Sequence, residues 1–375
     1  MTTTPTRPDA RAAGSNELPW REQLRRGDVE VVRPTEVPAD AIVKLLRVPP
    51  ESAGMRLDRF VQTQLRATSR SRSQRIIARG AYTPAGARLH KNHRLKAEER
   101  VAMWRAPWDE LTPDIPLAYL YEDAHLLAID KPPFVAVHPT ARHHRSTVVM
   151  LLEAQRPGEH LTLGHRIDRE TSGVLLLAKT RAADRALKAM LEAKSNESLG
   201  GATRGALGPN GVVKRYLALA WGTPAWDELG CELPLEPDAG NPLRVKMRVA
   251  ERGTGLPAVT WFETLGRRID PTSGRRYALL RATLYTGRQH QIRVHLAALG
   301  LPIVGDKLYG PDERMLSRAA DGALTADDLG ALELDRHALH ATALELDHPL
   351  TGERVTIGSP LPPDLATFWE RLVPA

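Results

Sequence analysis

Hydrophobic positions near residue 60 follow a helical spacing. Four apolar residues recur at i, i+3, i+4 and i+8: Leu57, Phe60, Val61 and Leu65. This spacing predicts an amphipathic helix. Ser69 or Ser71 is placed to cap a second helix that ends near Gly80, and short strands and turns are expected from there to Trp104. The pattern predicts a small module over residues 51–105.

After a proline-bearing linker at residues 106–116, short apolar runs are interspersed with helical patterns. We predict strands at Leu126–Asp130, Val174–Ala178, Val212–Trp221, Ala258–Leu265, Tyr277–Tyr285 and Glu353–Ile357. We predict helices at Thr147–Gln155, Ala182–Lys194 and Gln289–Leu299. Because strands and helices mix without a strict βαβ alternation, residues 117–372 are expected to form an α+β domain.

Two segments show no sustained periodicity of hydrophobic residues. Residues 1–50 are rich in Pro, Thr, Arg and Glu, and we predict a largely disordered leader there. Residues 195–211 are rich in Gly and small polar residues, which is typical of a flexible insertion.

Positive charge is concentrated in the small module. Residues 56–105 hold 13 Lys and Arg against three acids, a balance of +10, whereas the whole chain carries +7. The remaining residues therefore sum to −3. A local positive field suits a polyanion such as RNA, because phosphate contacts release counterions. A solubilising surface would have the same composition, so charge alone leaves both interpretations open.

The single cysteine, Cys231, excludes an internal disulfide framework and suits a reducing compartment. The N-terminal residues contain no apolar stretch of the secretory type, and no apolar run approaches the roughly 20 residues that cross a bilayer. We therefore expect a soluble cytoplasmic protein, without a membrane partner.

A polar turn-forming segment, His165 to Gly173, precedes the apolar run VLLLAK. Such a segment can hold one carboxylate, that of Asp168, in a pocket beside a buried strand. The simpler alternative is that Asp168 or Thr171 only caps the turn.

A second polar segment runs from Thr286 to His295. Ile292, Leu296 and Leu299 form a helical stripe, so His290 and Arg293, three residues apart, project together near a helix N-terminus, where anions are favoured. An Arg close to Asp168 would keep that carboxylate ionised. An ordinary surface helix start is the alternative.

Six histidines raise the question of a metal site: His138, His143, His144, His165, His290 and His295. His290 and His295 are five residues apart, hence about 140° apart around a helix, whereas the zincin spacing is i, i+4. We expect no catalytic metal, and no P-loop or GxGxxG supports nucleotide chemistry. Tyr216 heads a strand and could face the same cleft or serve packing alone.

Four long segments resemble motifs of the RluA-type family of RNA pseudouridine synthases: YEDAHLLAIDKPPFVAVHPT, HRIDRETSGVLLLAK, GRQHQIRVHLAALGLPIVGDKLYG and HALHATALELDHPLTGERVTIGSPLPPDL. Within the first, Phe134 stands where the family usually has a Gly. RLDRFV and SRSRSQRII resemble the RNA-binding domain named after ribosomal protein S four. The resemblance covers roughly residues 50 to 370.

The resemblance implies an α+β catalytic domain of pseudouridine synthase type, with a mixed, largely antiparallel sheet, and a small basic RNA-binding domain before it. Asp168 matches the catalytic aspartate, which attacks the nucleoside at C6 or C1′ or assists removal of the base. Arg293 matches its basic partner, and Tyr216 the tyrosine beside the target base. Arg166 matches the residue that fills the gap left by a flipped nucleotide.

Further RNA contacts are expected from two groups of residues. The motif residues are His165, Arg166, Arg288 and His290, and those of the basic helix are Arg70, Arg72, Arg75 and Arg79. Isomerisation of uridine involves no net redox change, so no cofactor is expected.

The expected substrate is structured RNA, large-subunit ribosomal RNA before transfer RNA, and the expected state is a monomer. Two rivals remain from the residues: a non-catalytic RNA-binding assembly factor, and a metal-dependent RNA hydrolase.

Overall fold

The computed structural model describes residues 30–39, 41–64, 70–105, 115–138, 146–196, 211–241, 245–251, 253–320 and 322–375. The chain divides into two compact units, Met1–Asp109 and Glu110–Ala375. No helix among the described residues has the length and apolar character needed to span a bilayer.

The described part of the first unit combines two helices with a three-stranded antiparallel sheet. Its elements are β1 (Ile42–Arg47), a 3-10 turn (Pro50–Ser52), α1 (Leu57–Gln64), α2 (Arg70–Gly80), β2 (Ala81–Tyr82) and β3 (Arg100–Arg105), and the strand order is β1–β3–β2. Leu57, Phe60 and Val61 are fully buried, which confirms the predicted amphipathic stripe. Leu65 lies outside the described residues.

The structure corrects the predicted leader. Residues 42–47, which were expected to be disordered, form β1 and pair along their whole length with β3. Val43 and Leu46 of this strand are buried. The strand is six residues long and follows a polar segment, so composition concealed it. Residues 1–29 lie outside the described residues.

The second unit is built on one large sheet. Its strands are β4 (Ala118–Glu122), β5 (Leu126–Lys131), β6 (Thr162–Leu163), β7 (Ser172–Ala178), β8 (Val213–Trp221), β9 (Glu228–Cys231), β12 (Thr260–Ile269), β13 (Arg276–Leu284), β14 (Leu339–Asp347), β15 (Arg354–Gly358) and β16 (Val373–Pro374). Among the described residues the order is β16–β12–β13–β8–β14–β7–β5–β4, with β15 beside β14, β6 beside β7 and β9 beside β12. β10 (Leu235–Pro237) and β11 (Met247–Val249) form a separate pair.

The helices of the second unit are α3 (Val148–Gln155), α4 (Arg181–Asn196), α5 (Gln291–Ala298), α6 (Arg314–Ala320), α7 (Ala326–Leu332) and α8 (Pro363–Glu370). All six predicted strands and all three predicted helices are present within a few residues of their expected bounds. α6 and α7 were not predicted, because seven residues are too few to show a period. Within the predicted insertion, residues 197–210 lie outside the described residues. The α+β class with a largely antiparallel sheet is confirmed.

One parallel pairing interrupts the otherwise antiparallel large sheet of the described residues. β14 runs parallel to β7, with His340 opposite Ser172 and Ala341 opposite Gly173. His340 Nδ1 and Ser172 Oγ are 3.0 Å apart and buried. Gly173 has a φ of 105°, and a Cβ atom there would lie 2.2 Å from the Ala341 carbonyl oxygen. The close approach fixes where β7 begins, and with it the loop that carries Asp168.

We predict that Gly173→Ala destabilises the second unit by about 2 kcal/mol or more, because the substitution adds both backbone strain and a clash with main chain. The midpoint of urea unfolding measures the effect. Gly358→Ala is the matched control, since its Cβ would lie 3.9 Å from the Thr342 carbonyl oxygen. Equal midpoints for the two variants would contradict the prediction.

Candidate active site

The loop between β6 and β7 carries Asp168, and buried cations fix its backbone. The carbonyl of Arg169 accepts a hydrogen bond from Lys131 Nζ at 3.1 Å, and the carbonyl of Glu170 accepts one from Arg336 Nη1 at 3.1 Å. Lys131 is 0% exposed and Arg336 is 1% exposed. Moving the loop would leave each cation with fewer acceptors in a water-free interior, which is costly.

Lys131 also holds the turn that follows β5. Its Nζ donates to the carbonyls of Pro132 and Val135 at 2.7 and 2.9 Å. Burial, assisted by the nearby charge of Arg336, lowers the pKa of Lys131 to about 7. Phe134 in this turn has a φ of 68°, a left-handed conformation for which Gly is best suited. This explains why the resembling motif usually has a Gly there.

Side chains after Asp168 anchor the same loop to the strand β14 region. Glu170 accepts hydrogen bonds from Lys307 Nζ at 3.0 Å and from the backbone N–H of His337 at 3.2 Å. The His337 ring is paired with Thr171 Oγ1 at 2.8 Å. Burial lowers the pKa of His337 to about 4, so this ring is neutral near pH 7.

A buried glutamine shapes the turn that precedes α5. Gln291 Oε1 accepts from the Thr286 hydroxyl at 2.8 Å and from the Arg288 backbone N–H at 2.9 Å. Gln291 Nε2 donates to the carbonyl of Val259 at 3.0 Å and to the Thr260 hydroxyl at 2.9 Å. These four bonds use both ends of the amide and fix the start of α5 against β12 and β13.

Arg293, on the first turns of α5, bridges two carboxylates. Its Nε and Nη2 donate to Asp306 Oδ2 and Oδ1 at 2.7 and 2.8 Å, and its Nη1 donates to Asp168 Oδ2 at 2.8 Å. Asp306 is itself held by the backbone N–H groups of Leu308 and Tyr309 at 2.9 and 3.0 Å. Asp306 thus orients the guanidinium through Nε and Nη2, and the remaining nitrogen, Nη1, binds Asp168.

The two carboxylates differ in exposure. The Asp306 side chain is fully buried, whereas 28% of the Asp168 side chain is exposed. Burial alone would raise the pKa of Asp168, but the charge and hydrogen bond of Arg293 outweigh it, so the pKa lies below its ordinary value. Asp168 is therefore ionised at neutral pH and reachable from solvent.

His290 is a second neighbour of the Asp168 carboxylate. It has a φ of 56°, and its Nδ1 is 2.9 Å from Tyr309 Oη, which accepts from the Met247 backbone N–H at 2.9 Å. Where the Tyr309 hydroxyl donates to Nδ1, the neutral His290 ring carries its proton on Nε2. That nitrogen is 3.9 Å from Asp168 Oδ1. Burial lowers the pKa of His290 to about 4, so the ring is neutral near pH 7.

Tyr216 lies on β8 between Ala282 of β13 and Ala341 of β14. It is 7% exposed. Burial and the charge of Asp168 raise its pKa, so the phenol is neutral and close enough to Asp168 to respond to it. The structure thus brings Asp168 and Arg293 into contact and places Tyr216 within electrostatic range of Asp168.

The other predicted motif residues differ in burial and in hydrogen bonding. Burial, with the charge of Lys214, lowers the pKa of His165 well below its usual value, and His165 Nε2 accepts from the Leu176 backbone N–H at 3.3 Å. His165 therefore supports β7 as a neutral ring. Arg166 is exposed, whereas Arg288 Nε is bonded to the Pro257 carbonyl at 3.0 Å.

In the first unit, the arginines of α2 differ in exposure and in their bonding partners. Arg70 is bonded to the buried Asp58 at 3.2 Å, together with Arg56 at 2.9 Å, so it also ties α2 to α1. Arg75 and Arg79 are exposed. The side chain of Arg72 lies outside what the structure describes.

The described residues contain no group of three His, Cys, Asp or Glu side chains placed to hold a metal ion. His295 in particular uses both ring nitrogens, with Nδ1 3.0 Å from Thr260 Oγ1 and Nε2 2.9 Å from the Leu233 carbonyl.

Sequence reasoning gave no role to Asp306, Tyr309, Lys131 or Lys307. All four stand in motif segments, as charged or phenolic residues among apolar neighbours. Their position in these motif segments was the signal from which the sequence could have identified them as site residues.

Residues 125–298 match the family model described as RNA pseudouridylate synthase. The chain is 34% identical over 336 residues to ribosomal large subunit pseudouridine synthase D of Pseudomonas aeruginosa, covering 87% of this chain and 94% of the relative. It is 32% identical over 351 residues to ribosomal large subunit pseudouridine synthase C of Escherichia coli (strain K12), covering 90% and 98%.

Its fold is similar to that of human RNA pseudouridylate synthase domain containing 1, with a TM-score of 0.51 and 24% identity over 69% of this chain and 89% of that one. The family model and the two relatives lead to one assignment. The chain belongs to the RluA-type family of RNA pseudouridine synthases.

Proposed function

We propose that this synthase isomerises specific uridines of large-subunit ribosomal RNA and that Asp168 is its catalytic carboxylate. The supporting observation is the 2.8 Å contact between Arg293 Nη1 and Asp168 Oδ2 on a carboxylate that stays 28% exposed. Because Oδ2 is engaged, Oδ1 is the oxygen left for chemistry. The Nε2 atom of His290 lies 3.9 Å from it.

The reaction needs a positioned carboxylate and no redox partner. The N1–C1′ bond breaks, the uracil turns, a C5–C1′ bond forms, the C5 proton leaves and N1 takes up a proton. Attack by Asp168 at C6 of the pyrimidine and attack at C1′ of the ribose both divide this change into easier steps. Tyr216, as a neutral phenol, would lie beside the uracil ring.

The target base must leave its stack before it reaches Asp168. Eversion costs a few kcal/mol in a duplex and less in a loop, which favours uridines in loops. Arg166 is exposed on the loop that carries Asp168, and it would fill the gap left by the base. Phosphate contacts from the first unit would offset the cost of eversion and set the register of the RNA.

The choice of ribosomal RNA rests on the relatives, whose names specify the large ribosomal subunit. The basic first unit fits a large structured substrate. Transfer RNA is the second candidate, since the motifs around Asp168 do not distinguish the two.

Mapping pseudouridines in total RNA from cells with and without the gene tests the function. We predict that the wild-type gene restores at least one site in large-subunit ribosomal RNA and that Asp168→Asn restores none, because an amide cannot act as the nucleophile. Equal restoration by both genes would refute the role of Asp168. Restoration confined to transfer RNA would refute only the substrate.

Arg293→Lys should shift the acid limb of kcat/KM. The lysine keeps one charge but cannot bond both carboxylates, so the pKa of Asp168 rises towards the value that burial favours. Asp168 then becomes protonated at higher pH, so the acid limb should move to higher pH, with a rate loss of at least tenfold. Arg281→Lys, in the half-buried pair with Glu263, is the control. An unmoved limb would contradict the account.

Arg75→Gln combined with Arg79→Gln should weaken RNA binding. The slope of log K against log salt should fall by about one to two, because the release of about one counterion is lost with each phosphate contact. Filter binding over a salt series measures the slope. Arg47→Gln, an exposed arginine of the same unit that pairs with Glu98, should leave it unchanged. A slope equal to that of the wild type in the double variant would remove α2 from the RNA interface.

A further inference from the structure

Lys214 shares a strand face with Tyr216. The two residues are separated by one position on β8, and alternate residues of a strand point to the same side of the sheet. Lys214 lies opposite Leu284 of β13 and Leu344 of β14, so its immediate strand neighbours are apolar. Its side chain therefore starts from the same face of the sheet as the side chain of Tyr216.

In the part of the chain that the structure describes, the ammonium of Lys214 has neither a hydrogen bond nor an ion pair, although the residue is half-buried. Burial lowers its pKa to about 8, with no carboxylate to oppose the shift. The next residue, Arg215, differs, since it pairs with Glu345. Partial burial weakens the hydration of this cation, so a bound anion would stabilise it more than it would a fully exposed lysine.

The charge of Lys214 reaches the loop that carries Asp168. It contributes to the lowered pKa of His165, three residues before Asp168. His165 is neutral and cannot supply a negative charge. Lys214 thus places a cation beside the candidate site that no protein anion among the described residues neutralises.

We propose that Lys214 binds a backbone phosphate of the RNA next to the target uridine. The proposal rests on the pseudouridine synthase activity. A phosphodiester is the group that matches the site, because an everted nucleotide brings its own flanking phosphates to the mouth of the pocket. A uracil carbonyl could accept a hydrogen bond there, but it would leave the buried charge without a counterion.

Lys214→Met and Lys214→Arg test the contact. The probe is a synthetic stem-loop of large-subunit ribosomal RNA containing the mapped uridine. Lys214→Met should raise the Kd roughly tenfold to a hundredfold and reduce the salt slope by about one. Lys214→Arg keeps the charge and should stay within about threefold of the wild type. Lys188→Met, in an exposed pair with Asp184, is the control and should bind normally.

Thermal unfolding separates binding from folding. Because methionine fills the same space without a buried charge, Lys214→Met should unfold at the same temperature as the wild type or higher. A lower unfolding temperature together with weaker binding would contradict the proposal, since the lysine would then be structural.

Methylphosphonate substitutions locate the phosphate. In a series of stem-loops with one neutral linkage each, we expect one position at which wild type and Lys214→Met bind equally. The same ratio of Kd values at every position would overturn the phosphate contact and favour a contact with the base. Wild-type protein that forms no pseudouridine in the unmodified stem-loop would overturn the proposed function itself, whereas an active enzyme whose Lys214→Met variant binds normally would overturn only the contact.

Discussion

The site depends on one guanidinium placed between two carboxylates. Arg293 lies 2.7 Å from Asp306 and 2.8 Å from Asp168, and only Asp168 is open to solvent. Two buried charges and a third that is partly exposed are costly to desolvate, and such groups are weak contributors to stability. Their effect here is positional. Asp306 fixes the plane of the guanidinium, and the guanidinium fixes one oxygen of Asp168 and keeps it ionised, which leaves the other oxygen available.

Buried cations also fix the position of the loop that carries Asp168. Lys131 and Arg336 are buried cations that hold backbone carbonyls of this loop, and Lys307 is a buried cation that holds Glu170. Because a buried cation without acceptors is strongly disfavoured, each fixes the backbone more tightly than a neutral contact would. Lys214 differs from these cations, since its ammonium has no acceptor among the described residues. A bound phosphate would supply that acceptor.

The sequence predicted regular elements better than it predicted contacts. Apolar periodicity located β5, β7, β8 and α5, because their burial leaves a local pattern. β1 was missed, since its partner β3 is more than 50 residues away and only that pairing orders it. Asp168 and Arg293 are 125 residues apart. Local pattern could not bring them together, and the expected pair came from the family resemblance. Arg70 shows the converse, since its contact with buried Asp58 could not be seen from helix spacing alone.

The arrangement of Arg293 can be tested without altering either Arg293 or Asp168. Asp306→Asn removes the charge that orients the guanidinium and keeps the side-chain volume. Release of tritium from RNA labelled at C5 of uridine, followed in a single turnover, reports formation of the C5–C1′ bond. We predict a rate about a hundredfold lower, with RNA affinity unchanged, because a small misplacement of a catalytic group is enough for such a loss. A folded Asp306→Asn variant that releases tritium at the wild-type rate would contradict the account.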